Sequence, residues 1–266
     1  MTETKERYTP CILVDPGFNP IGKIDRMYNR SVVLAIKDLP YNNLPDSSLN
    51  VYLDCCEPSI VCTPTEHVQR RTDLDLILTI RPELLENSPC KSVLFPFGSC
   101  WTKNTNEKEF GVSFLITAPT GRDGYNIRHN LWDIKDEINI PKKFYNSSRR
   151  PKQRFSNSVG GMDVVLPIDA ESIGNEVEDK EKLFNYMFSI CIENTREPYY
   201  FSEKLIDCLQ SKTIPVYYGC ERLAEFFNMD GVIVVNNANE IVEACNSLTP
   251  KHYEERKDAI NENYEK

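Results

Sequence analysis

The 266 residues carry a formal net charge of -9 and are 40% hydrophobic, enough chain for one large or two modest domains with cores of their own. The acidic balance argues against general nucleic-acid binding and against an anionic membrane partner. Ten cysteines are too few for a disulfide scaffold, and none forms a C-x-x-C pair, so the thiols are expected to be reduced.

The longest apolar runs, residues 32–36 and 76–80, fall far short of a membrane span. Residues 1–7 are polar, with no apolar stretch behind them; no secretory signal is visible, and a cytoplasmic location is expected. Residues 8–14 read as a short strand before the turn-rich 15–20, and 31–39 as a strand or a short helix. The alternation of residues 49–55 makes a strand that delivers Cys56-Glu57-Pro58 to the loop at its end. A short helix or turn follows at 65–71, then a strand at 74–80, a helical turn or two at 82–86 and a strand at 92–97. Alternation of this kind argues a small parallel-sheet domain.

The polar stretch 99–109 has no apolar pattern and marks a domain boundary, placed at 105/106. A buried strand over 112–117 opens the second domain. After the glycine-containing turn 119–126 comes a helix over 127–138, then a short strand at 143–146. The basic run 142–154 and the acidic run 169–181 read as solvated loops rather than binding patches. Residues 187–192 (MFSICI) suit a buried parallel strand. Ser202 can cap a helix whose inner face is Leu205, Ile206 and Leu209. Residues 214–219 return as a second strand, so 187–219 form one β-α-β unit. A strand at 232–235, a helix at 240–247 and a last helix opened by Thr249-Pro250 complete the chain.

The start of the Ser202 helix is chemically pointed. Its unpaired backbone N–H groups favour an anion, whereas Lys204 in the first turn opposes the helix dipole. The misfit makes sense if Lys204 faces a phosphate and Glu203 faces sugar hydroxyls; the alternative is a solvated Glu-Lys pair. Glu193-Asn194, then Tyr200-Phe201-Ser202-Glu203-Lys204, then Ile214-Pro215-Val216-Tyr217-Tyr218-Gly219 resembles the donor-site signature of the fucosyltransferases of glycosyltransferase family 10. That signature runs F-x-E-N-S, a spacer, Y-V-T-E-K, a helix and V-P-V-x-x-G. Three blocks keep order and spacing; Thr195 stands for serine, and Phe201-Ser202 for Val-Thr.

The resemblance implies an α/β fold of the GT-B kind: two Rossmann-like parallel-sheet domains with a cleft between them, the N-terminal one small. Residues 1–105 then form the acceptor-side domain and 106–266 the donor-binding domain. The implied activity is inverting transfer of L-fucose from GDP-fucose to a glycan hydroxyl, α-1,3 in type. The partners are a nucleotide-sugar donor and a glycan acceptor, with no cofactor required and a divalent cation at most stimulatory. Two alternatives stay open: a GT-B transferase using another nucleotide sugar, or a non-catalytic sugar-nucleotide or glycan-binding module.

An inverting transfer needs a base for the acceptor hydroxyl, positive charge or dipoles on the departing diphosphate, and alignment. Glu57, at a strand's carboxyl end before Pro58, is the expected base by resemblance to the family; a surface turn carboxylate is the alternative, and Asp54 the fallback. Arg128, in the first turn of the helix after Gly121 and Gly124, and Lys204 are expected to hold the leaving group, with Arg122 as a second candidate. By resemblance, Asn194 serves the sugar or phosphate, Tyr200 the nucleotide, and Glu203 ribose or fucose hydroxyls; loop capping is the other role open to Glu193 and Asn194. Tyr217 and Tyr218 read as core residues. His67, His129 and His252 are scattered without ligand spacing, so no metal site is expected.

Overall fold

The computed structural model describes residues 12–14, 31–36, 44, 48–54, 63–96, 98–116, 121–147, 171–173 and 180–266. The chain divides into two compact units, Met1–Phe97 and Gly98–Lys266.

The first unit holds β1 (Ile12–Val14), β2 (Ser31–Ile36), β3 (Ser48–Asp54), α1 (Thr65–Gln69), β4 (Leu76–Thr79), α2 (Pro82–Glu86) and β5 (Lys91–Leu94). The strand-or-helix alternative at β2 resolves to strand, as its adjacent valines favour. Pro82 opens α2, where a missing N–H costs nothing. All five strands are parallel and lie in sequence order, β1-β2-β3-β4-β5. Ala35, Tyr52 and Ile77 of the sheet pack with Val68 of α1 and Leu84 of α2. Among the described strands the order never reverses, so they form no switch point of the kind that holds a ligand.

Two carboxylate features of this unit bear on the expected chemistry. Asp54 is the last residue of β3 rather than part of the following loop, and it is 2% exposed. Its carboxylate accepts from Thr79 Oγ1 at 2.6 Å, Arg81 Nε at 2.6 Å and the Tyr52 hydroxyl at 3.2 Å. A carboxylate so occupied is a structural anchor, and the fallback assignment of Asp54 as base is withdrawn. Glu57 lies outside the described residues. The D-x-D spacing at Asp73-Leu74-Asp75 is structural too. Asp73 accepts from Arg71 and from the Leu44 N–H, and Asp75 from the Asn50 N–H at 2.7 Å.

The second unit holds β6 (Glu109–Ile116), α3 (Asp123–Asp133), β7 (Lys142–Ser147), β8 (Glu171–Ile173), β9 (Tyr186–Ile192), α4 (Glu203–Gln210), β10 (Ile214–Tyr218), β11 (Ile233–Val234), α5 (Ala238–Ser247), α6 (Pro250–Glu254) and α7 (Lys257–Glu265). All six strands are parallel, in the order β11-β10-β9-β6-β7-β8. Counted from β6 as the first strand this is 3-2-1-4-5-6, the doubly wound order, and the winding reverses between β6 and β9. Short β8 falls in the acidic run expected to be a solvated loop; its backbone pairing with β7 makes it a strand without any apolar signal.

Alternate residues of the central strands feed two cores, as a sheet covered on both faces requires. Val112, Phe114, Phe188, Ile190, Ile214 and Val216 pack with Leu131 of α3 and Ile241 of α5. On the other face Cys191 and Tyr217 meet Leu205, Cys208 and Leu209 of α4. Ser113 and Ser189 are the polar exceptions in the sheet. Their hydroxyls bond each other at 2.9 Å, and Ser113 donates to the Leu183 carbonyl, so neither buried oxygen is orphaned.

Candidate donor site at the reversal of the sheet

β9 ends at Ile192, and the Glu193 N–H still donates to the Tyr218 carbonyl at 2.8 Å, so the strand ladder carries the loop 193–202 outward in register. Ser202 caps α4, its side chain accepting from the Lys204 N–H at 3.4 Å. Within this unit the loop and the helix start lie at the carboxyl end of β9, beside the reversal point, where open α/β sheets bind ligands.

α3 begins at Asp123, four residues before the expected 127, and this corrects the reading of Arg128. The arginine sits in the second turn of α3, not the first, so its guanidinium does not join the helix-end N–H groups. It turns inward, 3% exposed, and donates to the Ile192 carbonyl and, at 2.9 Å, to Asn194 Oδ1. The Tyr125 ring lies 5.1 Å from it, a cation–π distance. Burial lowers the Arg128 pKa from its usual value, while Tyr125, Glu193, Tyr200 and Glu203 oppose that shift.

The start of α3 is docked directly on the β9 loop. Gly124 N–H donates to the Asn194 carbonyl at 3.1 Å, and a Cβ on Gly124 would stand 1.7 Å from the Glu193 carbonyl oxygen. No side chain fits there. Gly219, at the end of β10, does the same from the opposite side: a Cβ would meet the Tyr217 hydroxyl at 2.4 Å and Glu193 Cγ at 2.5 Å. Two glycines therefore leave room for one glutamate.

Glu193 is fully buried, and both its oxygens point at the start of α4. Oε1 accepts from the Ser202 N–H at 2.8 Å and Oε2 from the Ser202 hydroxyl at 2.6 Å. Lys204 bends back over the same cap, its Nζ 2.9 Å from Ser202 Oγ, 3.5 Å from Glu193 Oε2 and 3.4 Å from Glu203 Oε1. Its side chain is 27% exposed, that of Glu203 21%. Burial alone would raise the Glu203 carboxyl, but Lys204 and Lys180 outweigh it and hold it below the usual carboxylate range. Tyr200 is buried beside this cluster. Tyr217 and Tyr218 are buried in the core, Tyr217 Oη accepting from the Cys220 N–H.

The structure thus brings Arg128, Asn194, Tyr200, Glu203 and Lys204 to one end of one sheet. Arg122 occupies the N-cap position of α3 without a side-chain capping bond, its guanidinium 5.6 Å from the Tyr125 ring. Sequence reasoning left Glu193 at loop capping and missed Gly124 and Lys180. The only signal for the glycine was its place four residues ahead of Arg128. Lys180 is separated from the motif by a 3-10 turn (Lys182–Asn185) and β9, and its nearness to Glu203 is tertiary.

α4 is fastened along its length as well. Buried Asp207 accepts from the backbone N–H groups of Trp101 at 2.6 Å and Thr102 at 3.1 Å, and from Lys180 Nζ. Ser211 Oγ accepts from the Asn104 N–H at 2.9 Å. Burial raises the Asp207 carboxyl against the pull of Lys180 and the two N–H groups. Residues 98–104, expected to lie in the first domain, run along α4 by these bonds.

Chemically the arrangement suits an anion flanked by hydroxyls. Lys204 stands over a capped helix start and buried Arg128 holds Asn194, with carboxylate and amide oxygens to receive hydroxyl protons. Among the described residues no cluster of three or more histidine, cysteine, aspartate or glutamate side chains could hold a metal ion. Among them too, no helix is long and apolar enough to cross a membrane.

No family model matches the chain. It is 35% identical over 82 residues to an alpha-(1,3)-fucosyltransferase of Helicobacter pylori, covering 30% of this chain and 17% of that one. Over 84 residues it is 30% identical to an alpha-(1,4)-fucosyltransferase of Arabidopsis thaliana, covering 29% and 21%. The chain is fucosyltransferase-like. That likeness in sequence spans about a fifth of the length of the curated relatives. In fold it reaches further: a crystal structure of an alpha1,3-fucosyltransferase with GDP superposes over 91% of this chain and 71% of that one, with a TM-score of 0.52 at 18% identity. TarM superposes with a TM-score of 0.51 at 12% identity, over 88% and 52%. The fold of this fucosyltransferase-like chain is therefore α/β of the GT-B kind, as the motif implied.

Proposed function

We propose that the chain is an inverting glycosyltransferase that moves L-fucose from GDP-fucose to a glycan hydroxyl, in α-1,3 fashion. What carries this reading is the position of Lys204. A lysine in the first turn of a capped helix, at the reversal of a doubly wound sheet, suits a diphosphate.

In this reading the diphosphate lies at the start of α4, where Lys204 neutralises the charge that builds on it as the glycosidic bond breaks. Arg128 acts one step back. It holds Asn194 by its Oδ1, and so orients the amide toward the donor. Glu203, held ionised by Lys204 and Lys180, accepts hydrogen bonds from ribose or fucose hydroxyls. Tyr200 positions the nucleotide. Glu57, three positions along the chain from the last residue of β3, takes the proton from the acceptor hydroxyl. The α-1,3 linkage, the glycan acceptor and the independence from cofactor and divalent cation are carried over from the fucosyltransferase likeness.

A donor panel tests the proposal. GDP-fucose is expected to bind more tightly than GDP-mannose or UDP-sugars in calorimetry, and NMR of the product is expected to show a 1,3 linkage. Equal binding of all donors would leave a GT-B transferase of other specificity. Binding without turnover on any glycan would leave a sugar-nucleotide-binding module.

A further inference from the structure

Nothing in the donor chemistry above requires a fully buried carboxylate beneath the phosphate-binding lysine, yet Glu193 is there and its surroundings are built for it. Gly124 and Gly219 give up their side chains to its backbone and its Cγ, and Ser202 gives it both an N–H and a hydroxyl. Lys204 Nζ lies 3.5 Å from Glu193 Oε2. An arriving diphosphate must draw on the same ammonium and must do so close to a fixed negative charge.

We propose that Glu193 is a positioning residue that competes with the nucleoside diphosphate for Lys204, and thereby sets how readily the spent nucleotide leaves. This rests on the reading of the α4 start as a diphosphate site. Glu193, Ser202 and Glu203 hold the lysine. In the occupied site the diphosphate outbids them, being doubly charged or more. After transfer the carboxylate reclaims the ammonium as the nucleotide departs. The Coulomb energy sets the sign of the effect: like charges raise the free energy of the bound state and the lysine–glutamate pair lowers that of the free state. Both terms weaken nucleotide binding and speed release. A glutamate that served only to cap the loop would do the opposite, since loosening the cap would spoil the site.

Glu193→Gln separates the two. Glutamine has the same shape, accepts the Ser202 N–H and donates to the Ser202 hydroxyl, but carries no charge. GDP binding to the full chain, measured by calorimetry at low salt, is expected to tighten about tenfold, or about 1.4 kcal/mol, with slower release in stopped-flow and a gain that shrinks as salt is added. Turnover is expected to fall while KM for the donor falls with it. The rise in unfolding temperature produced by GDP gives a second readout that does not depend on how firmly glutamine packs in the glycine cradle, and it is expected to be larger in the variant than in the unaltered chain. Weaker or equal GDP binding by a folded Glu193→Gln variant overturns the competition and leaves the diphosphate site intact. Failure of the unaltered chain to bind GDP at all overturns both.

Discussion

At the residue scale the site is a matter of who holds whom. Lys204 meets the start of α4 and two carboxylates at once, so Lys204→Ala removes the cation proposed to hold the diphosphate. Transfer is expected to drop by about two orders of magnitude or more, as for loss of one oxyanion-stabilising donor, with GDP binding reduced in parallel. A variant that keeps both would remove Lys204 from the donor site. Glu57→Gln is expected to behave differently: GDP-fucose binding is spared and transfer is lost, because a general base acts on the acceptor and not on the donor. Gly124→Ala places a methyl group against the Glu193 carbonyl, and backbone is what must move. A loss of about 1–3 kcal/mol of stability is expected in denaturant unfolding, together with weaker GDP binding, because Asn194 shifts with the loop. Glu203 and Lys204 were legible in the sequence, since a first-turn lysine contradicts the helix dipole and needs a reason. Glu193 was legible only as a loop residue. Its burial depends on glycines 69 positions before it and 26 after it, a coincidence that only the fold produces.

Among the elements, the apolar runs of the signature unit match within a residue or two, whereas β5 ends three residues short of its expected span and β6 starts three before it. β9, α4 and β10 follow the expected spans closely, and α2 matches its span fully. α3 was misjudged at its start because Asp123-Gly124 looks like turn chemistry. The glycine belongs to the helix for a tertiary reason, its contact with Glu193. β8 was missed because a three-residue edge strand needs backbone partners and not apolar side chains. The entry to β6 carries a prediction of its own. Lys108 donates from its ammonium to the carbonyls of Asn104 and Phe184, tying the start of that strand to the turn before β9. Burial pulls its pKa from 10.5 down to about 8. The unfolded chain therefore binds the extra proton between these values, and the lysine's contribution to stability rises with pH across that window and is flat below it. The gap in unfolding temperature between the unaltered chain and a Lys108→Gln variant is expected to widen between pH 8 and 10.5. A constant gap would mean that the amine is solvated.

On the scale of the whole molecule the two units differ in what they can do alone. Gly98–Lys266 owns two extensive cores, one on each face of a six-stranded sheet. Every donor-side residue assigned above lies within it. The first unit has a five-stranded sheet in simple sequence order and a smaller described core. It contributes to the proposed reaction only Glu57, which belongs to the acceptor half of the chemistry. Donor binding and transfer should therefore separate by dissection. Residues 98–266 expressed alone are expected to fold cooperatively, with Asp207 and Ser211 still holding 98–104 along α4. The fragment is expected to bind GDP within about threefold of the full chain, a cost near 0.7 kcal/mol, and to transfer no fucose. A fragment begun at 106 instead strips Trp101, Thr102 and Asn104 from α4 and leaves Asp207 buried without two of its hydrogen bonds, a loss of about 1–3 kcal/mol. It should unfold at lower temperature than the fragment begun at 98. Equal stability of the two would mean that 98–104 does not belong with the donor helix. Retained fucose transfer by either would show that the base lies in the second unit.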